Sequence, residues 1–107
     1  MTTYSNTAYG VKNVSTSGST ITTVSSGTLA IASLVLSNTA TSPITVDVYI
    51  QRSAVNYYLV KAATIPVGGS LEVIQGNRVV LNTSDALLAA ASASSSADAW
   101  VSALTAV

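Results

Sequence analysis

The stretch ITVDVYIQ, Ile44 to Gln51, restricts the possible folds more than any other part of this sequence. Its alternation has a period of two, so Ile44, Val46, Val48 and Ile50 point one way while Thr45, Asp47, Tyr49 and Gln51 point the other. On a helix the same residues would scatter around the axis, whereas on a strand they give one core face and one face that is wet or in an interface. From Ile21 onward, short β-branched runs follow one another at close spacing, separated by turn-forming residues. That spacing implies an all-β chain, an antiparallel β-sandwich of seven or eight strands, Ig-like or jelly-roll-like in its connections.

Each run adds a specific expectation. Ile21 to Val24 reads as a short strand closed by SSG, and the mostly apolar Thr28 to Ser37 as a central strand buried on both faces. In YYLVKAA, adjacent Tyr57 and Tyr58 must face opposite ways, which places one in the core and the other outside. In TIPVGGSLEVI, Pro66 ends a strand, Gly68 and Gly69 allow a reversal through positive φ, and Ser70 starts the return. Gly76-Asn77 between SLEVI and RVVL predicts a tight hairpin, and NTSD predicts another turn. The final segment, ALLAAASASSSADAWVSALTAV, has alanines that favour helix intrinsically. Its Leu87, Ala89, Ala91 and Ala93 nevertheless alternate with Leu88, Ala90 and Ser92, so it reads as two strands joined by SSSAD. Residues 1 to 20 are polar and punctuated by Gly10 and Gly18, and form an extended N-terminal arm preceding a sandwich over 21 to 107. Such an arm is either disordered or anchored on a neighbouring subunit by its tyrosines and valines.

Composition narrows the chemistry. At 107 residues the chain holds one domain, with zero net charge and only 7% charged residues. It offers no basic footprint for nucleic acid. A surface covered by Ser, Thr and Asn can meet a copy of itself without stripping ions of water, which favours assembly into a homo-oligomer. Histidine and cysteine are both absent, so the usual general base, the commonest transition-metal ligands and any disulfide are missing. Asp47, Glu72, Asp85 and Asp98 lie in different segments and form no calcium-loop spacing, and Asp85 and Asp98 fit turn-stabilising roles. No serine stands in a nucleophile motif, and Lys12 and Lys61 have no serine motif beside them. PVGGS matches neither phosphate-loop pattern. The expectation is therefore a non-enzyme with no catalytic, cofactor-binding or metal-binding residues. The N-terminus lacks a secretory pattern, and the run LAIASLVL is far short of the ~20 residues a membrane helix needs, so no membrane partner is expected. The Asn13 and Asn82 sequons carry little weight without a secretion signal.

From Leu29 to Leu104 the chain resembles small virion structural proteins of tailed bacteriophages. The resemblance is carried by LAIASLVLSNTATSP, ITVDVYIQ, YYLVKAATIPVGGSLEVI, QGNRVVL and the small-residue pair ALLAAASASSSADAWVSAL. It departs at NTSD, where a glycine-containing turn is expected. The resemblance implies a β-sandwich on the virion that decorates or cements the capsid, with the major capsid protein or other virion proteins and copies of itself as partners. Neck, tail and fibre positions are the alternatives, as is a host-surface carbohydrate-binding module at a fibre. It supplies no active-site residue. Candidate interface residues are Tyr4, Tyr9, Tyr49, Arg52, Tyr57 and Trp100, chosen as aromatic or long side chains on the arm or on outward faces. Tyr49, one of Tyr57 or Tyr58, and Trp100 could alternatively form a sugar-stacking platform.

Overall fold

The computed structural model describes residues 4 to 106, which form strands joined by turns, with no helix among them. The strands are β1 (Tyr4–Val11), β2 (Ser19–Thr23), β3 (Thr28–Asn38), β4 (Ile44–Arg52), β5 (Val55–Ile65), β6 (Ser70–Leu81), β7 (Ala86–Ala91) and β8 (Ala97–Ala106). They make two four-stranded antiparallel sheets: sheet A, in the order β1-β8-β3-β6, and sheet B, in the order β2-β7-β4-β5. The pairs β1/β8, β2/β7, β3/β6 and β4/β5 are the arms of one long hairpin folded over on itself. That is the double Greek key of a jelly roll, which selects between the two sandwich topologies the sequence allows.

Between the sheets lies a core of Leu29, Ile31, Leu34 and Leu36 from β3, Val46 and Val48 from β4, and Ile65, Leu81, Leu87 and Val101. Alanines do the opposite job on the two inner strands β7 and β8: Ala89, Ala91, Ala97, Ala99 and Ala103 are all buried, and their small size makes room for the branched side chains facing them. The alanine-rich segment is thus two strands despite its helix propensity. Its alternation places Leu87, Ala89 and Ala91 inward, and both strands are paired on each side.

Several expectations change. The described part of the arm, residues 4 to 20, belongs to the sandwich: β1 pairs with β8 along its whole length, Val14 is fully buried, and the Val14 N–H donates to the Ala97 carbonyl at 2.7 Å. β3 is an inner strand of its sheet but is buried on one face only; Leu29, Ile31, Leu34 and Leu36 face in, and a bulge between Ile31 and Ser33 preserves the inward phase. Gly76-Asn77 makes no hairpin. β6 runs through it, because Ser70–Gln75 and Val79–Leu81 both pair with β3, and the extra residues between them are taken up as a bulge.

The two turns at NTSD and PVGG hold as reversals with fuller chemistry. Ser84 takes positive φ where glycine is the usual choice, and the Asp85 carboxylate accepts from the Asn82 N–H at 2.8 Å. At the other corner Gly69 N–H donates to the Pro66 carbonyl, with Gly68 at φ 72° in the third position of the turn. Gly69 has a different reason to be glycine: a Cβ there would stand 2.9 Å from the Pro66 ring. Buried Asn38 ties this end together, its amide donating to the Ser42 and Ile65 carbonyls and its oxygen accepting from the Ala40 N–H.

Candidate interaction surface

The outward side chains of β4 were the first candidates for a partner surface, yet the neighbouring strand already occupies them. Opposite Asp47, β5 carries an extra residue, with Ala62 at φ 54°. The bulge frees the Ala62 N–H from the ladder, and the Asp47 carboxylate accepts it at 2.7 Å while lying 3.4 Å from the Lys61 ammonium. Hydrogen bonding to Asp47 raises the Lys61 pKa above its ordinary value. Lys61 also sits 4.4 Å above the Tyr58 ring, whose centroid is 5.1 Å from that of Tyr49. Gln51 donates to Asn56 in the same way.

Tyr49 is therefore buried, at 8% exposure, under Tyr58 on one side and the Gly18 loop on the other. Gly18 has φ 112°, and a Cβ at that position would collide with the Tyr49 hydroxyl. Tyr49 is thus no exposed contact residue, and the reason lies in tertiary covering that alternation does not report.

Arg52 is similarly committed. Its guanidinium makes two bonds to the buried Asp85 carboxylate, Nε to Oδ1 at 2.7 Å and Nη2 to Oδ2. This pairing, against a desolvation penalty and with help from the Asn82 N–H, holds the Asp85 pKa at about 2. Tyr9 is half-buried on the inward side of β1 and packs on the core. The Tyr4 side chain lies outside the described residues. Tyr57 and Tyr58 are both exposed, at 56% and 46%, which corrects the expectation that one fills the core. The cause is position: β5 is an edge strand, and Tyr57 stands at the open rim beside Ile50, Arg52, Val80 and Asp85.

Sheet A presents a different outer face. On β8, Ala97, Ala99, Val101 and Ala103 are buried, so Asp98, Trp100, Ser102 and Leu104 point outward. The register places them beside Asn6, Ala8 and Gly10 of β1 and beside Ala30, Val35 and Ser37 of β3. Trp100 is 58% exposed, and a Cβ on Gly10 would stand 2.8 Å from indole Cε3 and Cζ3, so the six-membered ring passes directly over the glycine. A shallow depression of about 460 Å³ runs past it, lined by Val35, Ser37 and the Lys12–Asp98 pair. A second of about 470 Å³ continues toward Ser102 and Leu104. Lys12 bonds Asp98 at 2.8 Å, and the Asn13 N–H and that ammonium together lower the Asp98 pKa.

Of the sequence candidates, Trp100, Tyr57 and Arg52 are exposed, Arg52 with its guanidinium held by Asp85; Trp100 and Tyr57 lie apart, one on the outer face of sheet A and the other at the edge of sheet B. The surroundings of Trp100 were missed. The signal was present in ADAWVSA, where small residues at alternate positions mark the inward side and leave Asp98, Trp100 and Ser102 outside. Among the described residues no group of three or more His, Cys, Asp or Glu side chains could hold a metal ion.

No family model and no curated protein matches the chain. Among solved structures it is similar to one from work describing Bacillus endospore appendages as a novel family of disulfide-linked pili. The match has a TM-score of 0.55 at 14% identity, covering 96% of this chain and 85% of that one. At that identity the likeness is one of fold. The present chain has no cysteine with which to form a disulfide.

Proposed function

We propose that this protein is a non-enzymatic structural subunit that works by docking the outer face of sheet A on another protein of a repetitive assembly, as a decoration or cement protein on a bacteriophage capsid. The observation that carries this reading is Trp100, exposed in a depression lined by Gly10, Val11, Val35, Ser37 and Ala99 whose own charges, Lys12 and Asp98, are paired with each other, with Arg78 at the far end of the same face. Such a face can be covered at little desolvation cost, and an exposed tryptophan in a shallow groove is the kind of anchor that dominates protein interfaces. Cementing follows from linkage, because a protein that binds only the assembled coat raises the cost of coat separation. The resemblance of Leu29 to Leu104 to phage virion proteins supports a capsid as the partner in this reading.

The test uses particles that lack the protein. Purified chain should bind them to saturation and delay their heat-induced opening, and Trp100→Ala should lower occupancy at least tenfold with an unchanged thermal unfolding curve. Full occupancy by Trp100→Ala, or no binding by the unmodified chain, would reject the reading. A second reading, an appendage subunit that polymerises with itself, is favoured by the fold likeness to an endospore pilus structure. It requires filaments of the purified chain alone under the electron microscope.

A further inference from the structure

Each sheet of a sandwich ends in two edge strands, whose unpaired N–H and C=O groups invite another strand unless something blocks them. In this molecule β5 and β6 close one side and β1 and β2 the other. The first side is protected. β5 carries Lys61 and the bulge at Ala62, and β6 carries exposed Glu72 and Arg78. β2 is only five residues long and is itself bulged between Thr20 and Thr22.

β1 has none of these devices. It is eight residues long, YSNTAYGV, with no charged residue and no proline, and its ladder to β8 is unbroken from Tyr4↔Ala106 to Val11↔Ala99. Among the described residues β8 is the only strand bonded to it. In an antiparallel ladder alternate residues direct their groups to opposite sides, so about half of those on β1 point away from the sheet.

We propose that β1 pairs antiparallel with β1 of a second copy, joining two A sheets into one continuous eight-stranded sheet across a two-fold axis. The occupant is a second copy because the other available edges are blunted, while β1 can face itself with no like charges opposed. Side-chain parity restricts the register. Asn6, Ala8 and Gly10 point outward while Thr7, Tyr9 and Val11 point to the core side, so both cores stay on the same side only if the axis passes midway between two copies of one residue. Thr7 opposite Thr7 and Ala8 opposite Ala8 satisfy this condition. The pairing uses the edge of sheet A and leaves the Trp100 groove to its own partner, so it stands apart from the assignment of that face.

Light scattering of the purified full chain across micromolar to near-millimolar concentrations should show the mass doubling. Ala8→Lys and Ala8→Glu, exposed sites beside the axis, should each remain monomeric, and an equimolar mixture should regain the doubled mass. Hydrogen exchange on the unmodified chain gives a readout that does not depend on the variants folding: amides of residues 4 to 11 that point away from β8 should exchange more slowly as concentration rises. A chain that stays monomeric with concentration-independent exchange, or Ala8→Lys that still doubles in mass, would overturn the proposal.

Discussion

The outer faces of the two sheets are built from the same kind of sequence; over β4 that of sheet B is covered by its own neighbours, with Tyr58 still 46% exposed at the edge, while that of sheet A is open. On sheet B the polar groups find one another: Asp47 takes the N–H freed by the Ala62 bulge and draws in Lys61, Lys61 covers Tyr58, and Tyr58 covers Tyr49. On sheet A the outward residues of β1, β8 and β3 are mostly short, and Trp100 rises from them with Gly10 beneath one side of its ring and Val35 across the strand. Exposed polarity is therefore a poor guide to a contact surface. A long polar side chain with a partner on the next strand is consumed by the fold, and a run of small residues around one aromatic leaves the face available.

The contrast can be broken in order of expected effect. Tyr49→Ala removes a buried ring from the closed face and should destabilise the fold by about 3 kcal/mol, read as a lowered urea midpoint. Trp100→Ala on the open face should leave that midpoint nearly unchanged and instead weaken partner binding by about 2 kcal/mol, roughly thirtyfold. A stability loss for Trp100→Ala as large as that for Tyr49→Ala would erase the distinction.

The next effect concerns acid. Asp85 titrates at about 2 in the folded chain against an ordinary value of 3.8, because Arg52 and the Asn82 N–H bond its ionised form. A depressed carboxylate stabilises the fold above its unfolded pKa and loses that contribution as pH falls through its folded pKa. Asp98, lowered by the Asn13 N–H and Lys12, acts in the same direction. The melting temperature should therefore be flat near neutrality, where the chain has no histidine to titrate, and should fall from about pH 4 toward pH 2. Asp85→Asn should melt lower at pH 7 and show a shallower acid fall; an acid fall as steep as that of the unmodified chain would remove Arg52–Asp85 from the account. Smallest of all, Lys61→Ala should barely move the urea midpoint, since its pair with Asp47 is solvent-exposed.

Strand positions were legible where alternation is backed by two neighbours. Ile44, Val46 and Val48 face inward as expected, and so do Leu87, Ala89 and Ala91, because β4 and β7 are inner strands of sheet B. Edge strands were legible in part. The order Tyr57, Tyr58, Leu59 says nothing about whether a second sheet reaches far enough to cover them, and none is covered. β1 passed as an arm because its outward residues are small, although Thr7, Tyr9 and Val11 already alternate with Asn6, Ala8 and Gly10. Gly76-Asn77 carries the same local signal for a hairpin and a bulge. What decides between them is that β3 is long enough to pair with both flanking runs. Of the candidate surface, Trp100 was legible as an aromatic outside the core pattern; its seat on Gly10 was not, because that contact joins residues at opposite ends of the chain.

Hydroxyl-radical footprinting of the protein, free and bound to the particles of the proposed assembly, compares the two faces in one measurement. Oxidation of Trp100 should fall severalfold on assembly while oxidation of Tyr58, exposed on sheet B, stays at its free-protein level. Protection of Tyr58 with Trp100 still fully reactive would mean that the contact surface is the face assigned here to internal pairing.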